Sequence, residues 1–285
     1  MAIKLMYITN NPVVAKIAEH AGVDWIFLDM EYLGKELRQA GLDTVQNHHT
    51  FEDIRIIRNA VSKAKVLVRV NPIHSALPDY PSSKEEIDGA IEAGADIVML
   101  PYFKKVGEVK EFISYIGGRA KSLLLLETVE AINHIDEILD LNGIDMVYVG
   151  LNDLHLELGM KFMFELLVDG TVENLGAKIK AKGIPFGFGG IAALNGGDLP
   201  GSMVLKEHVR LGSSMVIVSR SFCNTELITN IDEIKKIFDT GISGLRALEK
   251  ETESADDTYF EENRRAVVKA VKKIVKRIEN KGNGN

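Results

Sequence analysis

Two aliphatic runs in this chain end abruptly in acids. Residues 122–127 read SLLLLE and residues 146–153 read MVYVGLND, closing on Glu127 and Asp153. A carboxylate is costly inside an apolar core unless it is paired or binds a cation. If both runs are neighbouring strands, the two acids converge at their carboxyl ends. With waters and substrate oxygens they then make the hard, oxygen-rich set that suits Mg2+ or Mn2+. Either acid alone would serve equally as a helix cap or a rim salt bridge, whereas the pair points to a metal. A third run, KVLVRVNP at 65–72, places Arg69 near its end. The planar guanidinium can hold a carboxylate or a developing enolate through two parallel hydrogen bonds. It can also lie in a buried ion pair with Asp29 or Glu31, and the two roles are compatible.

Positioning such residues requires a sheet. Short apolar, β-branched runs recur at 4–9, 25–30, 65–70, 96–101, 122–127, 146–151, 185–190 and 214–219. Amphipathic stretches lie between them, most closed by a glycine at the expected helix end. Eight such units predict an α/β fold, the (β/α)8 TIM barrel, whose usual size is roughly 250 residues. A doubly wound open sheet shares the local pattern, but the first strand is not followed by G-x-G-x-x-G, and polar residues gather after strand ends along the whole chain. The barrel is expected over residues 1–224. Residues 225–285 read as a C-terminal helical extension packing on the barrel or on a neighbouring subunit of a homo-oligomer.

Glycines 187, 189, 190, 196 and 197 end or follow the seventh run, and Ser219, Arg220 and Ser221 end the eighth. Such loops in barrels let backbone N–H groups approach anionic oxygens. Gly189, Gly190 and Arg220, together with Asn152 beside Asp153, are therefore candidates for binding a small anionic substrate, phosphorylated or carboxylated. Flexibility or tight turns explain the glycines equally well.

With 285 residues, 46% hydrophobic, the chain can bury a substantial core. Cys223 is its only cysteine, which excludes an intrachain disulfide and a thiolate cluster. A net charge of −7 argues against a nucleic-acid partner, and no run approaches the roughly 20 apolar residues of a membrane span. A cytoplasmic protein is expected. The tail from 261 to 281 is basic, and reads as a solvated helix face ahead of an anion-binding arm.

The segments AGVDWIFLDMEY, VLVRVNP, AGADIVMLP, LETVEAI and GIDMVYVGLNDL, in order across 13–220, resemble the HpcH/HpaI aldolase and citrate lyase β-subunit family of metal-dependent pyruvate aldolases. The resemblance implies that Glu127 and Asp153 bind the metal and that Arg69 binds a 2-oxo acid. It also marks departures. Relatives carry a histidine directly after the glutamate of strand two, where this chain has Tyr32. Counting back from the next helix, His49 falls in the histidine's place behind an inserted stretch, and its partner acid would correspond to Glu92. Leu125 stands where many relatives have glutamine. His49 or Tyr32 would then transfer the proton, and the expected activity is carbon–carbon lysis or aldol condensation of a 2-oxo acid with an aldehyde or ketone. Alternatives are a citrate lyase- or synthase-like enzyme, a phosphoenolpyruvate enzyme, and a non-catalytic metabolite-binding barrel. None of the strand ends offers a Schiff-base lysine.

Overall fold

A computed structural model describes residues 2–34 and 48–282 of the chain. Part of the stretch inserted ahead of His49, residues 35–47, lies outside them. The described strands are β1 (Lys4–Ile8), β2 (Trp25–Asp29), β3 (Lys65–Arg69), β4 (Ile97–Leu100), β5 (Lys121–Leu126), β6 (Met146–Val149), β7 (Phe186–Ile191) and β8 (Met215–Val218). They pair in chain order, all parallel, and β8 closes on β1. The expected TIM barrel is thus the observed fold.

The strands are almost continuously apolar because both of their faces are covered. The pleat sends Met6, Phe27, Leu67, Met99, Leu123, Leu125, Tyr148 and Met215 into the barrel. Their neighbours Leu5, Ile26, Leu28, Val66, Val68, Val98, Leu124 and Leu126 pack beneath the helices. Gly187 has no space for a side chain, since a Cβ there would lie 2.3 Å from the Met215 carbonyl oxygen. The β7–β8 register shifts between Gly187 and Gly190. Across this irregular seam the buried Tyr148 hydroxyl accepts the Ile217 N–H at 2.9 Å and donates toward the Phe188 carbonyl at 3.1 Å.

Eight helical connections surround the strands. They are α1 (Pro12–Ala21), α2 (Phe51–Ala60), α3 (Ser83–Glu92), α4 (Val106–Ile116), the pair α5 (Val129–Asn133) and α6 (Ile135–Leu139), the trio α7 (Leu151–Glu157), α8 (Glu165–Val168) and α9 (Thr171–Ala181), then α10 (Gly201–Leu211) and α11 (Ile231–Thr252). Their starts carry their own signals: Asn11 caps α1, and the pairs Thr50/Asp53 and Ser82/Glu85 form capping boxes on α2 and α3. α11 packs against both α1 and α10 and so completes the ring. The last helix, α12 (Asp257–Gly282), lies outside it on α10 and α8. Val267, Val271 and Ile274 of α12 are buried there, and Asn263 donates to the buried Glu207 at 2.7 Å. The expected boundary at 224/225 falls in the loop between β8 and α11.

Candidate active site

The carboxyl ends of the strands open into a cavity of about 620 Å3. Phe27, Met99, Leu125, Tyr148 and Ile217 give it an apolar floor, and Asp29, His49, Arg69, Glu127, Asn152, Asp153 and Arg220 supply polar walls. Gly189 and Gly190 line it too. Of the residues singled out by sequence, Tyr32 and Glu92 are not on its wall.

Arg69 follows directly from register. Asp29 of β2 and Arg69 of β3 are paired positions, so both side chains emerge at the same height. Arg69 donates from Nε to Asp29 Oδ1 at 2.8 Å and from Nη2 to Oδ2 at 2.7 Å, and Nη1 stands 3.2 Å from Glu31 Oε2. Burial opposes the charge on Arg69, but Asp29 and Glu31 outweigh it and hold its pKa well above the ordinary value. The fork is therefore already engaged along one edge by Asp29. The donors that remain for a substrate are on Nη1 and Nη2.

Glu127 sits just beyond β5 and is 3% exposed. Its Oε1 accepts the Tyr102 N–H at 3.0 Å. Its other face lies against Gly150, where a Cβ would come 2.8 Å from Oε2, so only glycine leaves the carboxylate this space. Asp153 lies in the first turn of α7 and is also buried. Burial first, then the charges of Glu31 and Asp153, push the Glu127 carboxyl well above its usual range, with Arg69 and the Tyr102 N–H opposing them. Among the described residues Asp29, Glu31 and Asp153 are thus buried around Arg69 and Glu127, and a divalent cation held beside Glu127 would offset the burial and carboxylate charges that raise its pKa. Among the described residues no three His, Cys, Asp or Glu side chains converge on one point. A cation here would take Glu127 and Asp153 and complete its shell with water and substrate oxygens. Mg2+ commonly keeps several waters in this way, so the donor set fits it.

His49 reaches the cavity just before α2. Its backbone N–H donates to the Asp29 carbonyl at 3.3 Å, and its Nδ1 accepts the Asp29 N–H at 2.9 Å. Because Nδ1 is the acceptor, the neutral ring carries its proton on Nε2. Glu92 cannot orient this ring: it is exposed at the end of α3, the end that returns to the base of the barrel. The buried acid of this helix is Glu86, near its start. It accepts the Asn71 N–H at 3.1 Å, Asn71 Nδ2 at 2.8 Å and the Tyr80 hydroxyl at 2.8 Å. Asn71 Oδ1 in turn accepts the N–H groups of Tyr32 and Leu33, both at 2.9 Å, which pins the chain beyond Glu31. The Tyr32 ring meets Tyr80 edge-on at 5.1 Å, outside the cavity wall, and burial together with Glu86 raises its phenol pKa. Sequence reasoning missed Glu86, Asn71 and Tyr102. The one available signal was direction, since a residue at the start of a barrel helix lies at the mouth and one at its end does not.

Arg220 is exposed at the mouth with no ion pair among the described residues, and the loops after β1 and β8 add Asn10, Asn224, Thr225 and Glu226 to that side. Fold and mouth together define a (β/α)8 barrel with a carboxylate-rich, arginine-bearing site at its strand ends. Residues 4–166, more than half of the chain, match the family model described as HpcH/HpaI aldolase/citrate lyase, and the chain belongs to that family. It is 24% identical over 186 residues to a hydroxypyruvate/pyruvate aldolase of Roseovarius nubinhibens, a match covering 61% of this chain and 71% of that one. It is 23% identical over 158 residues to a 2-keto-3-deoxy-L-rhamnonate aldolase of Shigella boydii, covering 51% of this chain and 58% of the relative, short of two thirds of its length. Two crystal structures share the fold. An HpcH/HpaI aldolase from Desulfitobacterium hafniense superposes with TM-score 0.59 at 18% identity, covering 82% of this chain and 93% of that one. An HpcH/HpaI aldolase/citrate lyase family protein from Burkholderia cenocepacia superposes with TM-score 0.60 at 15% identity, covering 82% and 95%. Among the described residues no helix is long and apolar enough to cross a membrane.

Proposed function

We propose that this chain is a divalent-metal-dependent carbon–carbon lyase, an aldolase, that acts on a 2-oxo acid of the pyruvate type. The observation that carries the reading is that Arg69, Glu127 and Asp153 line a single cavity, with Arg69 and Asp153 both close enough to Glu127 to shift its pKa. Membership of an aldolase family and the names of the curated relatives support it.

In the cleaving direction the substrate is a 4-hydroxy-2-oxo acid. The C4 hydroxyl passes its proton to a water molecule in the cavity, which later returns a proton to C3; the C3–C4 bond breaks, and its electron pair passes through C2 to the ketone oxygen. An aldehyde leaves, and the enolate is protonated at C3 to give the 2-oxo acid. Arg69 donates hydrogen bonds from Nη1 or Nη2 to the oxygen that gains charge, and Asp29 and Glu31 hold the guanidinium in place for this task. Glu127 and Asp153 would hold a divalent cation, which when bound would supply Lewis-acid stabilisation of the same charge. His49 presents Nε2–H, so it acts as a donor to the substrate's hydroxyl or carbonyl oxygen and not as the first proton acceptor. The apolar floor of Phe27, Met99 and Leu125 excludes water beneath the reacting carbons and strengthens these interactions.

Proton exchange tests the reading without knowledge of the aldehyde. Pyruvate in D2O should exchange its C3 protons, followed by NMR, in the presence of wild type and Mg2+ or Mn2+. Exchange should vanish in Glu127→Ala and Asp153→Ala while both variants retain a folded circular-dichroism spectrum. Full exchange by chelator-treated wild type would overturn the proposal.

A further inference from the structure

Among the described residues Tyr102 is the non-glycine residue held at positive φ, 47°. A backbone conformation that ordinary residues avoid persists only where its surroundings over-determine it, and such residues gather at functional sites. Tyr102 follows β4, and its two polar groups point along different routes to the same place. The N–H donates to Glu127 Oε1 at 3.0 Å. The phenol donates to Glu157 Oε1 at 3.2 Å, and the other oxygen of Glu157 accepts the Val129 N–H at 2.7 Å.

Glu157 is the last residue of α7, one helical turn beyond Asp153 on the same face. Val129 lies two residues after Glu127. A closed circuit results: Glu127 is held at its carboxylate by Tyr102, the backbone two residues beyond it is held at Val129 by Glu157, and Glu157 belongs to the helix that carries Asp153. Residues that fix the orientation of metal-binding side chains commonly tune affinity, by about ten- to a hundredfold when they are mutated. We infer that Tyr102 and Glu157 are positioning residues, forming a clasp that sets the separation of Glu127 from Asp153 and so the size of divalent cation the mouth accepts. The inference rests on the metal reading of the site.

The test measures binding of metal alone. Mn2+ affinity is read by calorimetry or by the loss of its free-ion EPR signal, and competition ranks Mg2+ against the larger Ca2+, for wild type, Glu127→Ala, Tyr102→Phe, Glu157→Ala and the Tyr102→Phe/Glu157→Ala double variant. Tyr102→Phe and Glu157→Ala should each weaken Mn2+ binding by about tenfold or more and narrow the preference for Mg2+ over Ca2+, with melting temperatures unchanged. Because the two act as one unit, the double variant should be no worse than the worse single one. Wild-type affinity and ion preference in both single variants would overturn the clasp, and so would simple additivity in the double variant. Equal Mn2+ binding by wild type and Glu127→Ala would instead overturn the metal reading, and the clasp with it.

Discussion

A side chain's chemistry here depends on which of its atoms are already taken. Arg69 has its Nε and one terminal nitrogen on Asp29, so lysine at this position would lose both the grip on Asp29 and the donors left for substrate. Arg69→Lys should therefore fall within about tenfold of Arg69→Ala in affinity for oxalate, a pyruvate-enolate analogue, as measured by calorimetry in the presence of Mg2+. Recovery to the wild-type level would show that charge alone suffices. His49 is constrained by the same logic. If it donates from Nε2, His49→Gln, which keeps an amide N–H, should retain more of the aldol cleavage rate than His49→Ala, with the alanine loss on the order of 10² to 10³. Equal losses would restore a proton-transfer role to the ring. Glu127, Asp153 and Arg69 were legible in the sequence because a charge that interrupts an aliphatic run has few physical reasons to be there. Glu86, Asn71 and Tyr102 were not, because their significance lies in backbone conformation and in partners far along the chain. Glu92 was drawn to His49 by resemblance, against the direction in which its helix runs.

At the scale of elements, the eight strands fall within two residues of the positions read from sequence, since burial on both faces writes each strand as an unbroken apolar run. The link from β6 to β7 was less legible, because it begins with the short helices α7 and α8, of seven and four residues, which are too brief to show a helical period, before the longer α9. The seam between α10 and β7 holds a titration that sequence gave no reason to expect. His208 is fully buried, stacks on Phe188 with ring centroids 3.8 Å apart, and sets Nδ1 2.7 Å from Ser213 Oγ. Its Nε2 has no hydrogen-bond partner among the described residues. Burial lowers its pKa from 6.5 to about 3. The unfolded chain thus takes up a proton below about 6.5 that the folded protein refuses. Stability from this group is intact above that pH and falls as pH drops toward 3, by about 1.4 kcal/mol per pH unit. Urea denaturation from pH 7 to 5 should show this slope in wild type and a shallower one in His208→Gln. An identical slope in both would remove His208 as the cause.

The whole molecule is asymmetric: its chemistry gathers at one end of the barrel, while α12 is bound to the flank. The tail beyond 256 carries eight Lys and Arg against four Asp and Glu, so without it the net charge would pass from −7 to −11. Removing residues 257–285 would also expose the surface covered by Val267, Val271 and Ile274 and take Asn263 from the buried Glu207. The truncated protein should melt several degrees lower, or change its sedimentation profile through association of the uncovered flank. An unchanged melting temperature together with an unchanged profile would mean that α12 contributes nothing to the fold. The irregular closure of the barrel carries a mechanical meaning of its own. A ring of strands is as strong as its poorest joint, and between β7 and β8 the regular backbone ladder is interrupted. Tyr148, reaching from β6 across β7 to β8, acts there as a rivet. A tyrosine that a scan for catalytic groups would count as part of the cavity floor also ties β6, β7 and β8 together where the ladder is broken.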